Sequence, residues 1–276
     1  MRVDDTATPP GEPAHEAVIL LHGFCSSART WDRVAASLQE AFTVLTPDWP
    51  GFGARRAEPP LRSIDAMARH VLGLADRYRL RRFHVVGHSM SGFVVQHLLI
   101  HHPERVGRAV LYGTFSSLAE GGRFESVDET AARLQREGIE RTVERIVATW
   151  FLAGPRDPDF ADAVRQGSQM ALDAALAAMV ACRGFDVASQ LGGVRSPVLV
   201  VVGERDQTVR LEAAVDLARR IPGAGLAVLP HAAHAAHLER AELFDLLLAQ
   251  FLSAHTAKRA TAASFHERPT PGSCGH

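Results

Sequence analysis

The stretch Val85-Val86-Gly87-His88-Ser89-Met90-Ser91-Gly92 decides how the chain folds. A short apolar run enters it, Gly-His-Ser closes that run, and an apolar segment of helical character follows, which is the pattern of a strand, a sharp turn and a helix. A serine hydroxyl is a weak nucleophile until a base takes its proton, so a turn that presents a serine must hold the side chain clear of the backbone. Small residues two places before and two places after let such a turn close, and Gly87 and Ser91 stand there. The octet taken alone also fits an ordinary strand-to-helix turn.

Composition narrows the choice. The 276 residues, 46% of them hydrophobic, suffice for one large core or for a domain carrying an insertion. Thirty basic against 31 acidic residues leave a formal net charge of -1, so no global field draws the chain to nucleic acid or to an anionic membrane. Cys25, Cys182 and Cys274 are widely spaced with no Cys-x-x-Cys pair, which suggests neither a disulfide framework nor a zinc knuckle. Residues 1–16 lack the charged-then-apolar order of a secretory signal, and no apolar run reaches about 18 residues. The expectation is a soluble cytoplasmic protein without a membrane or nucleic-acid partner. His97, His101 and His102 have no carboxylates at metal-ligating spacing and read as structural histidines.

Along the chain, short runs rich in Val, Leu and Ile alternate with helix-period segments. The strand candidates are residues 17–21, 42–46, 83–86, 108–112, 198–202 and 226–229, near-continuous in apolar residues as strands covered on both faces are. Apolar stripes mark helices at Trp31, Val34, Ala35 and Leu38, at Ile64, Met67, Ala68, Val71, Leu72 and Ala75, and at Leu243, Phe244, Leu247, Leu248 and Phe251. This alternation predicts an α/β fold, a mostly parallel sheet flanked by helices. Between Tyr112 and Val198 the alternation gives way to helical stripes, Ile139, Val143, Ile146, Val147 and Trp150 on one and Leu172, Leu176, Met179 and Val180 on another. An excursion of that length is too long for a loop and predicts a helical cap over the carboxyl edge of the sheet. The expected organisation is a flexible leader over 1–15, a core over 16–116 and 191–254, a helical cap over 117–190, and a flexible tail over 255–276.

If Ser89 is a nucleophile, its base and the carboxylate that orients the base should follow other strands at the same edge. Asp206 follows the fifth run through Gly203-Glu204-Arg205, and His234 follows the sixth through Pro230-His231-Ala232-Ala233. Glu204 competes with Asp206, and His231 and His237 compete with His234.

The order Ser89, Asp206, His234 resembles the alpha/beta-hydrolase family, in which nucleophile, acid and base come in that sequence. Leu20-Leu21-His22-Gly23-Phe24 resembles the family's oxyanion loop, Asp48-Trp49-Pro50-Gly51-Phe52-Gly53 its Asp-x-Pro-Gly-x-Gly turn, Gly203-Glu204-Arg205-Asp206 its acid loop, and His234 with Glu239 its His-x-x-x-x-Glu ending. The resemblance covers about residues 17–253. Three departures stand out. Ser91 replaces the second glycine of the usual elbow, Arg55 stands where relatives often carry serine, and Ala233 replaces the glycine before the base, where it would have to adopt a positive φ.

The resemblance implies a cofactor-free serine hydrolase with Ser89, His234 and Asp206 as the triad, and with the Phe24 and Met90 amides as oxyanion donors. It further implies a small-molecule ester or lactone as substrate, with a diffuse likeness to 3-oxoadipate enol-lactonases. Carbon–carbon hydrolases of the meta-cleavage type, perhydrolytic haloperoxidase-like enzymes and slow receptors share the constellation and stay open. Trp31, Trp150, Phe151 and Met179 are candidates for an apolar substrate pocket, and Arg183 is a candidate partner for a substrate carboxylate.

Overall fold

The structure is a computed structural model that describes residues 15–118 and 125–263. The expected leader, apart from residue 15, and the tail beyond residue 263 lie outside the described residues.

Six strands form one sheet, β1 (Ala17–Leu21), β2 (Thr43–Leu45), β3 (Phe83–His88), β4 (Val106–Tyr112), β5 (Val198–Gly203) and β6 (Gly225–Leu229), in the order β2-β1-β3-β4-β5-β6. Every neighbouring pair is parallel. Parallel pairing requires a crossover between consecutive strands. Those crossovers carry α1 (Asp32–Leu38), α2 (Ile64–Arg77), α3 (Met90–His101) and α7 (Leu211–Arg220). Local chemistry sets where helices begin. Ser63 caps α2 by accepting the Ala66 N–H, and Ser126 with Glu129 forms a reciprocal capping box on α4 (Val127–Val147).

The sheet is covered on both faces by separate apolar layers. All five residues of β1 and all six of β3 and β5 are buried, each buried aliphatic side chain worth roughly 1.5–3 kcal/mol. β6 departs from the expectation of full coverage. It is the edge strand of the sheet, with no strand beyond it among the described residues, and Leu226 and Val228 are 41% and 39% exposed.

Between β4 and β5 lie α4, kinked at Gly138, α5 (Phe160–Gly167) and α6 (Leu172–Cys182). The two ends of this helical excursion are tied together: Ser117 and Asp186 form an antiparallel bridge, Leu118 N–H donates to the Phe185 carbonyl at 3.0 Å, and Val187 N–H donates to the Ser116 carbonyl at 3.1 Å. The buried face of α6 is not the expected one. Leu172 and Val180 are exposed, while Ala174, Ala175, Ala178, Met179 and Cys182 are buried. This helix is apolar nearly all round, so periodicity cannot select a face, and the small alanines allow the closer approach to α4. The last helices are α8 (Ala236–Glu239) and α9 (Ala241–Ala263), the latter continuing past residue 254, where the sequence places the start of the tail.

Candidate active site

Ser89 occupies the one-residue turn between β3 and α3 with φ 54° and ψ -117°, a left-handed conformation that a non-glycine residue adopts only under constraint from its surroundings. Its N–H donates to the Tyr112 carbonyl at 2.8 Å, and its carbonyl accepts from Gly92 N–H at 2.9 Å. Glycine at position 87 is required by contact: a Cβ there would lie 2.5 Å from the Ser91 carbonyl oxygen. Gly23 also approaches the turn closely, since its Cβ would come 3.1 Å from Ser89 Cβ and 3.2 Å from the His88 carbonyl oxygen. The loop after β1 is thereby pressed against the turn that carries Ser89.

Asp206, buried after β5, accepts the Thr208 and Val209 N–H groups on Oδ1 at 2.8 and 2.9 Å. Its Oδ2 lies 2.7 Å from His234 Nδ1, with both side chains fully buried. Of the candidate histidines, His234 is the one that meets Asp206. Its other nitrogen, Nε2, is buried and has no hydrogen-bond partner among the described residues, Ser89 included. Glu239 fixes the loop that carries His234, its carboxylate accepting from Ala233 N–H at 2.6 Å and from Leu152 N–H at 2.7 Å, and burial raises its pKa. The positive φ expected at Ala233 is instead at His231, with φ 52°, so alanine before His234 is unstrained.

The rival residues are engaged elsewhere. Glu204 accepts the His231 N–H at 3.0 Å, which lowers its pKa, and both residues are exposed. His237 lies with Nε2 2.9 Å from Thr30 Oγ1 and Nδ1 3.1 Å from Tyr112 Oη, and burial lowers its pKa to about 3. The Tyr112 hydroxyl donates to the His234 carbonyl at 2.7 Å, and His88 Nε2 donates to the same oxygen at 3.2 Å. Burial holds the His88 pKa well down and the Tyr112 pKa well up, so both remain neutral supports for His234. Sequence reasoning missed this role of Tyr112. A tyrosine ending a buried strand must find a partner for its hydroxyl, and that was the available signal.

A cavity opens at the sheet edge. The core contributes Phe24, Ser89, Met90 and Phe115 to it, and the helical excursion contributes Val127 and Met179. The Met90 N–H is the first of α3 and has no intrahelical acceptor, and Phe24 faces the same cavity from the loop after β1.

Met179 lines this cavity, whereas four other pocket candidates do not. Trp31 is fully buried on the opposite face of the sheet, its ring 6.3 Å from Phe244 and 5.1 Å from His237, because the α1 stripe packs toward α9. Trp150 backs the His234 imidazole, with ring centroids 5.8 Å apart, and lines a separate cavity beside Arg29 and Gln166. Phe151 is core. The Arg183 side chain is 61% exposed and paired with Asp128 on the outside of the helical excursion. Arg55 pairs with Glu58 at 2.6 Å and lies 2.8 Å from His70 Nε2, away from Ser89. Among the described residues no group of three or more His, Cys, Asp or Glu side chains could hold a metal ion, and no helix is long and apolar enough to cross a membrane.

Fold and site together define a parallel α/β sheet with a strained serine and a buried carboxylate–imidazole pair at its carboxyl edge. Residues 16–241 match the family described as the alpha/beta hydrolase fold, and the chain belongs to that family. It is 28% identical over 245 residues to the provisionally named carbamate hydrolase RutD of Agrobacterium fabrum, covering 85% of this chain and 92% of that one. It is 30% identical over 248 residues to a pimeloyl-[acyl-carrier protein] methyl ester esterase of Chromobacterium violaceum, covering 85% and 93%. The enol-lactonase of Burkholderia xenovorans LB400 superposes with a TM-score of 0.80 at 23% identity, covering 89% and 94%, a likeness of fold.

Proposed function

We propose that the protein is a serine hydrolase of small, uncharged carboxylic esters or lactones, with Ser89 as nucleophile, His234 as base and Asp206 as the carboxylate that orients the base. The observation that carries this reading is the 2.7 Å contact between His234 Nδ1 and Asp206 Oδ2, which leaves Nε2 unengaged at the sheet edge that bears the strained Ser89. The ester and lactone hydrolases among the relatives support the choice of reaction.

In this mechanism Ser89 Oγ attacks the substrate carbonyl carbon while its proton passes to His234 Nε2. The Nδ1–H bond to Asp206 fixes the tautomer that makes Nε2 the acceptor and stabilises the imidazolium that forms. The carbonyl oxygen gains negative charge and is held by the Phe24 and Met90 N–H groups. His234 returns the proton to the departing alkoxide as the carbon–oxygen bond breaks. Water, deprotonated by the same imidazole, then attacks the acyl-enzyme, and the acid leaves with Ser89 re-protonated. The Ser89–His234 hydrogen bond, absent in this structure, closes when substrate seats, as catalytic contacts commonly do. None of the described residues lining the cavity is charged, which favours a neutral acyl group over an anionic one.

The test is a panel of p-nitrophenyl esters from acetate to octanoate, simple lactones and a vinylogous diketone, run on wild type and Ser89→Ala. Hydrolysis of short neutral esters or lactones that vanishes in Ser89→Ala is expected. A diketone turned over faster than every ester would replace the reading with carbon–carbon cleavage, and ester hydrolysis persisting in Ser89→Ala would remove it.

A further inference from the structure

Ser91 stands where the elbow pattern asks for glycine, and its side chain has a partner that glycine could not serve. The residue is fully buried, and its hydroxyl donates to the His22 carbonyl in a short hydrogen bond. A second donor reaches the same oxygen: Trp49 Nε1 is 3.0 Å from the His22 carbonyl and 3.1 Å from Ser91 Oγ. Ser91 Oγ thus accepts from the indole and donates to the carbonyl, and three elements meet at one point: the first turn of α3, the turn of residues 48–53 and the loop after β1. The His22 ring adds to the clamp. Its Nε2 accepts the Trp49 N–H at 3.2 Å, and its Nδ1 donates to the Gly23 carbonyl at 2.9 Å.

The position of that carbonyl governs the next residues. A peptide unit is planar, so fixing the His22 oxygen fixes the plane leading into Gly23 and hence the direction in which the chain enters Phe24. Gly23 is already pressed against Ser89 Cβ and the His88 carbonyl, which leaves the loop little room to settle elsewhere. Neither Ser91 nor Trp49 lines the cavity, so neither contacts substrate from its present place.

We propose that Ser91 and Trp49 are positioning residues that hold the Phe24 amide at the distance from the Met90 amide that an oxyanion requires. This rests on the reading of Phe24 and Met90 as oxyanion donors. Ser91 belongs to α3, whose first N–H is that of Met90, while its hydroxyl grips the loop that carries Phe24, so one side chain links the two donors. Without the link the substrate binds as before and the tetrahedral intermediate is held less well.

The experiment compares wild type with Ser91→Ala, Trp49→Phe and the double variant, using p-nitrophenyl butyrate as substrate and an alkyl trifluoromethyl ketone as inhibitor, whose adduct with Ser89 places an oxyanion between the two donors. Each single change should lower kcat by about 10- to 100-fold with KM within about twofold, as expected for a small displacement of one donor. The ketone inhibition constant should rise by the same factor as kcat/KM falls. The double variant should lose less than the product of the single losses, because both side chains act on one carbonyl. The proposal is overturned if Ser91→Ala and Trp49→Phe keep kcat within twofold, or if kcat falls while ketone affinity is unchanged. Should Trp49→Phe fail to fold, Ser91→Ala, which removes a single oxygen, decides by itself through the same comparison of kcat with ketone affinity. Ser89→Ala separates this proposal from the one beneath it. Hydrolysis surviving in Ser89→Ala defeats the proposed function, whereas a dead Ser89→Ala beside a fully active Ser91→Ala defeats the positioning role alone.

Discussion

Replacing Asp206 by asparagine should abolish turnover while leaving the fold intact, and the structure supplies the reason atom by atom. Oδ1 accepts two backbone N–H groups, from Thr208 at 2.8 Å and Val209 at 2.9 Å, and Oδ2 faces His234 Nδ1 at 2.7 Å. In Asp206→Asn the amide oxygen keeps the Oδ1 place, because an NH2 group there would confront two donors. The NH2 group must then occupy the Oδ2 place, pointing a donor at Nδ1–H. That clash is relieved by moving the ring proton to Nε2, which in the proposed mechanism is the nitrogen that receives the Ser89 proton. The base is lost although no heavy atom needs to move. A wrong-tautomer histidine lowers kcat by about 10⁴-fold, or roughly 5.5 kcal/mol of barrier. Stability should change by no more than about 1 kcal/mol, since both backbone N–H groups retain an oxygen acceptor. Steady-state hydrolysis of p-nitrophenyl butyrate, paired with urea melts, reads both quantities. A variant within tenfold of wild type in kcat/KM would refute the assignment of Asp206, and an unfolded variant would refute the claim that its two oxygens have separable roles.

Three further outcomes follow from the same geometry. His237 titrates near its ordinary value of 6.5 when unfolded and at about 3 when buried, so the unfolded chain binds the extra proton between those values and stability falls as pH drops through that window. Its share between pH 7 and pH 5 is about 2 kcal/mol, and His237→Gln should flatten the loss in urea melts, an unchanged slope counting against the assignment. Gly23→Ala should reduce kcat on the order of 10- to 100-fold, because its Cβ meets Ser89 Cβ at 3.1 Å and a backbone oxygen at 3.2 Å, and neither can swing aside. Arg183→Ala should leave kcat/KM within about twofold for every neutral ester, since the guanidinium lies outside the cavity in an exposed pair with Asp128, and a large rise in KM would return it to the site.

The sheet was legible from sequence because strands covered on both faces are written as unbroken apolar runs, and β1 falls on residues 17–21 as expected. The positions of Asp206 and His234 just beyond β5 and β6 followed from the same logic of strand ends. What stayed hidden depends on packing direction. A stripe shows that Trp31 is buried, without telling which face of the sheet buries it. A helix as nearly all-apolar as α6 carries no period from which to choose between Met179, which faces the cavity, and Val180, which faces solvent. Arg183 had a plausible charge in a plausible segment, and only its direction excludes it. The strain assigned to Ala233 belongs to His231 because the loop after β6 turns two residues earlier than the family glycine suggests. The clamp of Ser91 and Trp49 on the His22 carbonyl joins three segments distant in sequence, and a serine in place of glycine was its sole outward mark.

The most direct measurement of the central claim is covalent capture. Treating the protein with an alkyl fluorophosphonate and determining its intact mass and the modified peptide should reveal one adduct per chain, on Ser89, with none formed by Ser89→Ala and far slower labelling in His234→Ala. Labelling of Ser89→Ala at the wild-type rate, or an adduct on any other residue accompanied by loss of ester hydrolysis, would contradict the account.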